Sequence, residues 1–151
     1  MSLFSDKTRS AILRKLVKQV PDEQIDLAKN LFANAPGADL EAFDIDTLVQ
    51  GADMASKGLA AFTLKKPLVK IEGPCLQIIN RDVPFILDSV LDEINQRGLM
   101  ADLVLHPVFE KNDEKVSLVQ IHFNALSSDQ AKALKQGVVE TIKDVNSVVN
   151  E

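Results

Sequence analysis

The side chains able to do chemistry are few. His106 and His122 are the only two histidines and Cys75 is the only cysteine among 151 residues, and no G-x-G-x-x-G fingerprint, Walker loop or nucleophile motif is present. If residues 103–109 and 116–123 are strands, the two histidines share a parity and approach one another across a hairpin. Two imidazoles without a third ligand fall short of a zinc site, so ordinary polar satisfaction is the plainer expectation. A lone thiol in an apolar strand excludes a disulfide framework and reads as a small core residue, which points to a reducing, cytoplasmic setting. Asp88 and Asp92 lie one helical turn apart and, with Glu93, would hold a cation weakly, but the pattern is that of a solvated helix face. Ser89, with no base in sequence reach, is a packing residue. Neither a catalytic residue, nor a metal site, nor a cofactor is expected in this chain.

One stretch has a binding mechanism. Asn80-Arg81-Asp82-Val83-Pro84 sets backbone N–H groups and a helix N-terminus at the end of a strand, a setting that favours an anion such as an amino-acid carboxylate. The plainer alternative is that Asp82 and Pro84 merely start a helix, Asp82 as N-cap and Pro84 where its missing N–H costs nothing.

The elements that must position this stretch follow from periodicity. Leu76 to Asn80 is a short apolar strand. From about Val83, Ile86, Leu87, Val90, Leu91 and Ile94 recur at helical spacing, and Gly98 caps the end. Leu103 to Phe109 and Val116 to Phe123 form a hairpin across the polar connection Lys111 to Lys115, with Asn112-Asp113 near its tip and Pro107 marking an edge or a bulge. Leu103 and Leu105 are expected to share the core face with Val119, Ile121 and Phe123. The opposite face then holds Val104, His106 and Val108 with Leu118, Gln120 and His122, too apolar for open water and too polar for a closed core. The N-terminal helices, a second copy of the chain or the rest of a longer polypeptide are the candidates to cover it. A last helix, capped by Ser128 or Asp129, runs to about Val149.

Residues 1–63 read as an all-helical segment and 64–151 as a βαββα domain, with Lys65-Lys66-Pro67 a soluble linker between them. The helices expected are Ser5 to Gln19, then one ending near Ala35, a short turn over Asp39 to Phe43, and Thr47 to Phe62 capped by Asp46. A βαββαβ module expects a further strand after its second helix, and none follows here. Leu68 to Ile71 is therefore expected to fold back as a substitute edge strand beside Leu76 to Asn80, because a bare interior edge is costly.

A formal charge of −5 and a pI near 5.0 argue against nucleic acid as a partner, since phosphate binding needs a basic stripe. A membrane partner is not expected either: no apolar run approaches the ~18 residues of a span. The basic outer face of the first helix lacks the aromatics that anchor interfacial helices.

The run RDVPFILDSVLDEINQRGLMADLVLHPV (81–108) resembles the N-terminal segment of the large bacterial NAD-specific glutamate dehydrogenases, in which a D-x-P-F helix leads through R-G-L to an H-P-V strand. The Asp-x-Pro turn from strand to helix, the Gly-ended helix and the hairpin are similar to an ACT domain, a small amino-acid-binding regulatory module. The resemblance implies an α+β, ferredoxin-like (ACT-like) antiparallel sheet with two helices, preceded by the all-helical segment. It also implies a non-catalytic regulatory domain of an oxidoreductase that deaminates glutamate to 2-oxoglutarate. Its ligand-binding residues would be Asn80, Arg81, Asp82, Val83 and Phe85, with Phe85 standing where amino-acid-binding ACT domains usually have glycine. Partners would be an amino-acid ligand and the rest of the parent polypeptide or a second copy. A freestanding amino-acid-binding or interaction module is the competing reading.

Overall fold

A computed structural model describes residues 6–150, without the side chains of 148–150. The expected start of the first helix at Ser5 lies outside the described residues, whereas the last helix reaches Asn150, in line with its expected end near Val149. The chain divides into two compact units, Met1–Ala60 and Ala61–Glu151.

The first unit is helical: α1 (Lys7–Leu16), a 3-10 turn (Asp22–Gln24), α2 (Ile25–Phe32), α3 (Gly37–Glu41) and α4 (Ile45–Ala61). Asp6 caps α1 by accepting from the Arg9 backbone N–H at 2.9 Å, and its second oxygen accepts from the Gly37 N–H at 2.7 Å. One carboxylate thus ties the starts of α1 and α3 together. Asp46 lies inside the first turn of α4 and is not its cap, because the helix already begins at Ile45.

The second unit is built on an antiparallel sheet of β1 (Leu68–Glu72), β2 (Cys75–Arg81), β3 (Leu103–Leu105), β4 (Val108–Lys111) and β5 (Glu114–His122), in the order β1-β2-β5-β3 with β4 also on β5. Two helices, α5 (Ile86–Gln96) and α6 (Ser128–Asn150), complete it. The expected substitute strand is present: β1 pairs with β2 from Leu68↔Ile79 to Glu72↔Cys75 through a turn at Gly73. It occupies the position that a βαββαβ module gives to its last strand.

The sheet face under the helices carries Leu76, Ile78, Val119, Ile121 and Phe123, packed with Ile86, Val90 and Ile94 of α5 and Leu134, Val138 and Ile142 of α6. That is the expected apolar stripe of α5. The helix ends in a Schellman cap, with Gly98 at φ 73 and N–H bonds from Gly98 to the Asn95 carbonyl and from Leu99 to the Ile94 carbonyl.

Three further local expectations are corrected. First, the hairpin loop is two residues, not five: Lys111 pairs with Glu114, and Asn112 and Asp113 both take positive φ, 54 and 65. Such a loop twists with its strands. It shifts the register by one residue, and a one-residue slip exchanges the faces of a strand. Val104 therefore stands opposite Ile121, while Leu103 and Leu105 stand opposite His122 and Gln120 on the other face. The same register continues beyond the His106-Pro107 interruption, Val108 opposite Ser117. By that parity His106 falls on the face away from His122, and the two histidines do not meet. Second, α6 is capped by Ser127, whose Oγ accepts from the Gln130 N–H while the Gln130 side chain accepts from the Ser127 N–H, a reciprocal capping box. Third, α5 starts at Ile86 rather than near Val83, and Asp82 does not cap it.

The residue that precedes α5 is Phe85, at φ 70 and 70% exposed. A left-handed conformation costs a residue with a Cβ about 1–2 kcal/mol, and the ring gains little burial in return. Phe85→Gly should therefore raise stability by about 0.5–1 kcal/mol after the entropy cost of glycine is subtracted. Urea denaturation checks it; a clear loss of stability would mean that the ring supports the fold.

Candidate functional site

At the end of β2 the chain builds a cleft of about 660 Å³ within the second unit. Asn80, Arg81, Asp82 and Val83 form one wall. A second wall is the segment from Phe62 to Pro67, closed on itself by a bridge between Thr63 and Lys66 and held by Lys111, whose Nζ donates to the Phe62 carbonyl at 2.8 Å. Asp113, Glu114 and Lys115, from the tip of the β4–β5 hairpin, supply the third, and Asn146 of α6 reaches in from below.

Asn80, 3% exposed, is the floor. Its amide and that of Asn146 bond reciprocally at 2.9 and 3.0 Å, and Asn80 Nδ2 also donates to the Arg81 carbonyl. A buried amide is costly unless satisfied, and this pairing fixes α6 against the end of β2. Asp82 is fixed from the other side. Its backbone N–H donates to the Lys115 carbonyl at 3.0 Å and its carboxylate accepts from Ser117 Oγ at 2.6 Å. This contact is the physical reason Asp82 does not cap α5: the carboxylate is turned toward β5. Arg81 lies 3.7 Å from Glu114.

Four of the five residues expected at a ligand site thus line one cleft, and Phe85 does not. The helix N-terminus expected to attract an anion begins at Ile86, beyond the residues that line it. Cationic side chains line it instead: Arg81, Lys65, Lys66 and Lys115. Sequence reasoning took Lys65 and Lys66 for a linker and missed Lys115 and Asn146. The register of β2 on β5, Arg81 opposite Val116, sets Lys115 beside the end of β2.

Elsewhere the polar side chains serve the fold. On the sheet face away from α5 and α6, Gln120 Nε2 donates to Gln77 Oε1 at 2.8 Å and His122 Nε2 bonds Gln120 Oε1 at 2.7 Å. Cys75 Sγ lies 3.8 Å from the same imidazole nitrogen. This row is buried, and burial pushes the Cys75 thiol up to about 12, with Glu72 adding to the shift, and His122 down to about 4. A thiol so protonated is a poor nucleophile. His106 is lowered by partial burial, with the charge of Asp82 pulling the other way. Among the described residues no group of three or more His, Cys, Asp or Glu side chains is placed to hold a metal, and no helix is long and apolar enough to cross a membrane. Asp92 is exposed and accepts from Gln96. Ser89 and Glu93 are half-buried along the groove between α5 and α6, beside Thr141 and Val145, where Arg97 pairs with Glu93. The expected solvated face is thus corrected for Ser89 and Glu93.

An antiparallel sheet under two helices, with a cleft at the first strand-to-helix connection of the module, defines an ACT-like domain. The family model of the glutamate dehydrogenase ACT1 domain matches residues 27–145, and the chain belongs to that family. No curated protein matches it.

Proposed function

We propose that the chain is the non-catalytic N-terminal regulatory and assembly domain of an NAD-dependent glutamate dehydrogenase. The match of the ACT1 family over residues 27–145 is the observation that carries this reading. On it, the ACT-like domain comprises residues 64–151 after a helical segment of 1–63. The domain holds no cofactor of its own and works in the cytoplasm, against the rest of the parent polypeptide or a second copy. An amino acid is the ligand, bound by Asn80, Arg81, Asp82 and Val83 in the cleft. Phe85 borders this stretch on the helix side, and its left-handed backbone is the conformation that glycine would take there without strain.

The decisive check is the reading frame that encodes the chain. It should continue past Glu151 into a dinucleotide-binding region, and a stop codon there would favour a freestanding module. The purified chain itself should show no glutamate-dependent reduction of NAD, since hydride transfer needs a nicotinamide site and this sequence carries no phosphate-binding fingerprint. Turnover that co-purifies with the chain, and persists through further fractionation, would overturn the reading.

A further inference from the structure

We propose that residues 62–67 are a movable wall of the cleft, latched by Lys111, which opens locally while the sheet stays folded. The attachments of this segment are concentrated at its first residue. Phe62 is buried and its carbonyl accepts from Lys111 Nζ at 2.8 Å, whereas Thr63, Lys65 and Lys66 are exposed and Leu64 and Pro67 are half-buried. Phe62 is also the first residue past α4, where a helix leaves carbonyl groups without an intrahelical donor. The Lys111 ammonium supplies that donor and sets a positive charge at the negative end of the helix dipole. One contact thus ends α4 and fastens the start of the wall.

The end of β2 is fastened separately. The Asp82 N–H donates to the Lys115 carbonyl at 3.0 Å, Ser117 Oγ donates to the Asp82 carboxylate, and the amides of Asn80 and Asn146 pair below them. These bonds involve no residue of 62–67, so they persist when the wall leaves. Closed by the bridge between Thr63 and Lys66 and by the fixed φ of Pro67, the segment has little slack, yet residues 62–67 span roughly 20 Å when extended. Release at Phe62 therefore widens the cleft and lengthens the free connection from α4 to β1 in one step. Segments with few buried contacts are the ones that open below the free energy of global unfolding. The device stands whichever molecule the cleft holds.

Limited trypsin digestion of the whole 151-residue chain reads the opening, because Lys65–Lys66 is the susceptible bond of the wall and the bond after Lys66 is shielded by Pro67. Where reclosing is faster than cleavage, the rate measures the open population. Lys111→Met keeps the aliphatic stem and removes the donor. It should raise cleavage after Lys65 by about tenfold, the scale of a lost hydrogen bond from a charged group. Cleavage after the exposed Lys132 and Lys135 of α6 should stay unchanged. Lys111→Arg, which still donates to a carbonyl, should keep most of the protection. Equal rates after Lys65 in all three proteins would remove the latch. A rise at Lys132 and Lys135 parallel to that at Lys65 would make the opening global and overturn the proposal as well. Amide exchange of the unaltered chain is a check that needs no variant: residues 63–66 should lose protection well before Asp82, and one common rate for both would overturn the independent wall.

Discussion

Acidification from pH 6.5 to pH 4 should cost the fold about 3 kcal/mol through His122 alone. The imidazole is 3% exposed and burial holds its folded value near 4, against 6.5 for the unfolded side chain. Between those values the unfolded chain takes up a proton that the folded one refuses, so stability is complete above pH 6.5 and drains away as the pH falls toward 4. Below that the slope from this group vanishes. Among the groups with a shifted pKa, only His106 shares this window. Asp53, lowered by Lys57 and by Gln24, and Asp6, lowered by the Arg9 and Gly37 N–H groups, lose their contributions only as the pH falls below the ordinary 3.8. His106 acts in the same direction as His122 but is exposed enough for solvent to screen it. At the alkaline end Cys75 mirrors the effect: raised to about 12, it contributes stability that is present below pH 9 and is lost above it. Urea midpoints at half-unit intervals from pH 4 to pH 7 measure the slope. In His122→Gln the slope should largely disappear whatever the absolute stability of the variant; an unchanged slope would assign the acid sensitivity elsewhere.

Ile94→Ala should destabilise the second unit by about 2–5 kcal/mol and Val90→Ala by about 1–3, because each empties space in a core that cannot fully collapse around it. Ile94 is 1% exposed and Val90 is 0% exposed, both packed on the face of β2 and β5 that carries Ile78, Val119 and Ile121. Leu87, partly buried at the margin of the same cluster, should lose less. Asp92→Ala removes only an exposed bond from Gln96 and should be near neutral. Chemical denaturation of the four variants is the measurement. Equal losses at Val90 and Asp92 would mean that the helix is rotated from the face described.

The apolar stripe of α5 was legible without a structure because Ile86, Val90 and Ile94 repeat at helical spacing and Gly98 closes the run, and both signals are local. The role of β1 was legible too, since an interior strand edge must be paired and Leu68 to Ile71 was the one extended segment available. The hairpin register was also written locally, in Asn112-Asp113, but it had to be read as a two-residue loop. Counting Lys111 to Lys115 as the loop moved Leu103 and Leu105 to the wrong face and brought His106 toward His122.

What the sequence by itself determined is most of the helices and strands and the ACT-like order of the second unit, and it singled out the stretch from Asn80 to Val83, which lines one cleft. Tertiary structure alone decided the chemistry of that place. Asp82 gives its carboxylate to Ser117, Asn80 pairs with Asn146, and Lys65, Lys66 and Lys115 meet around the same cleft. Periodicity reports which side of one element is apolar. It carries no information about which distant side chain a polar group will bond, because that depends on how strands pair and where a helix crosses them, and Ser117 and Asn146 come to the end of β2 only through the β2–β5 register and the path of α6.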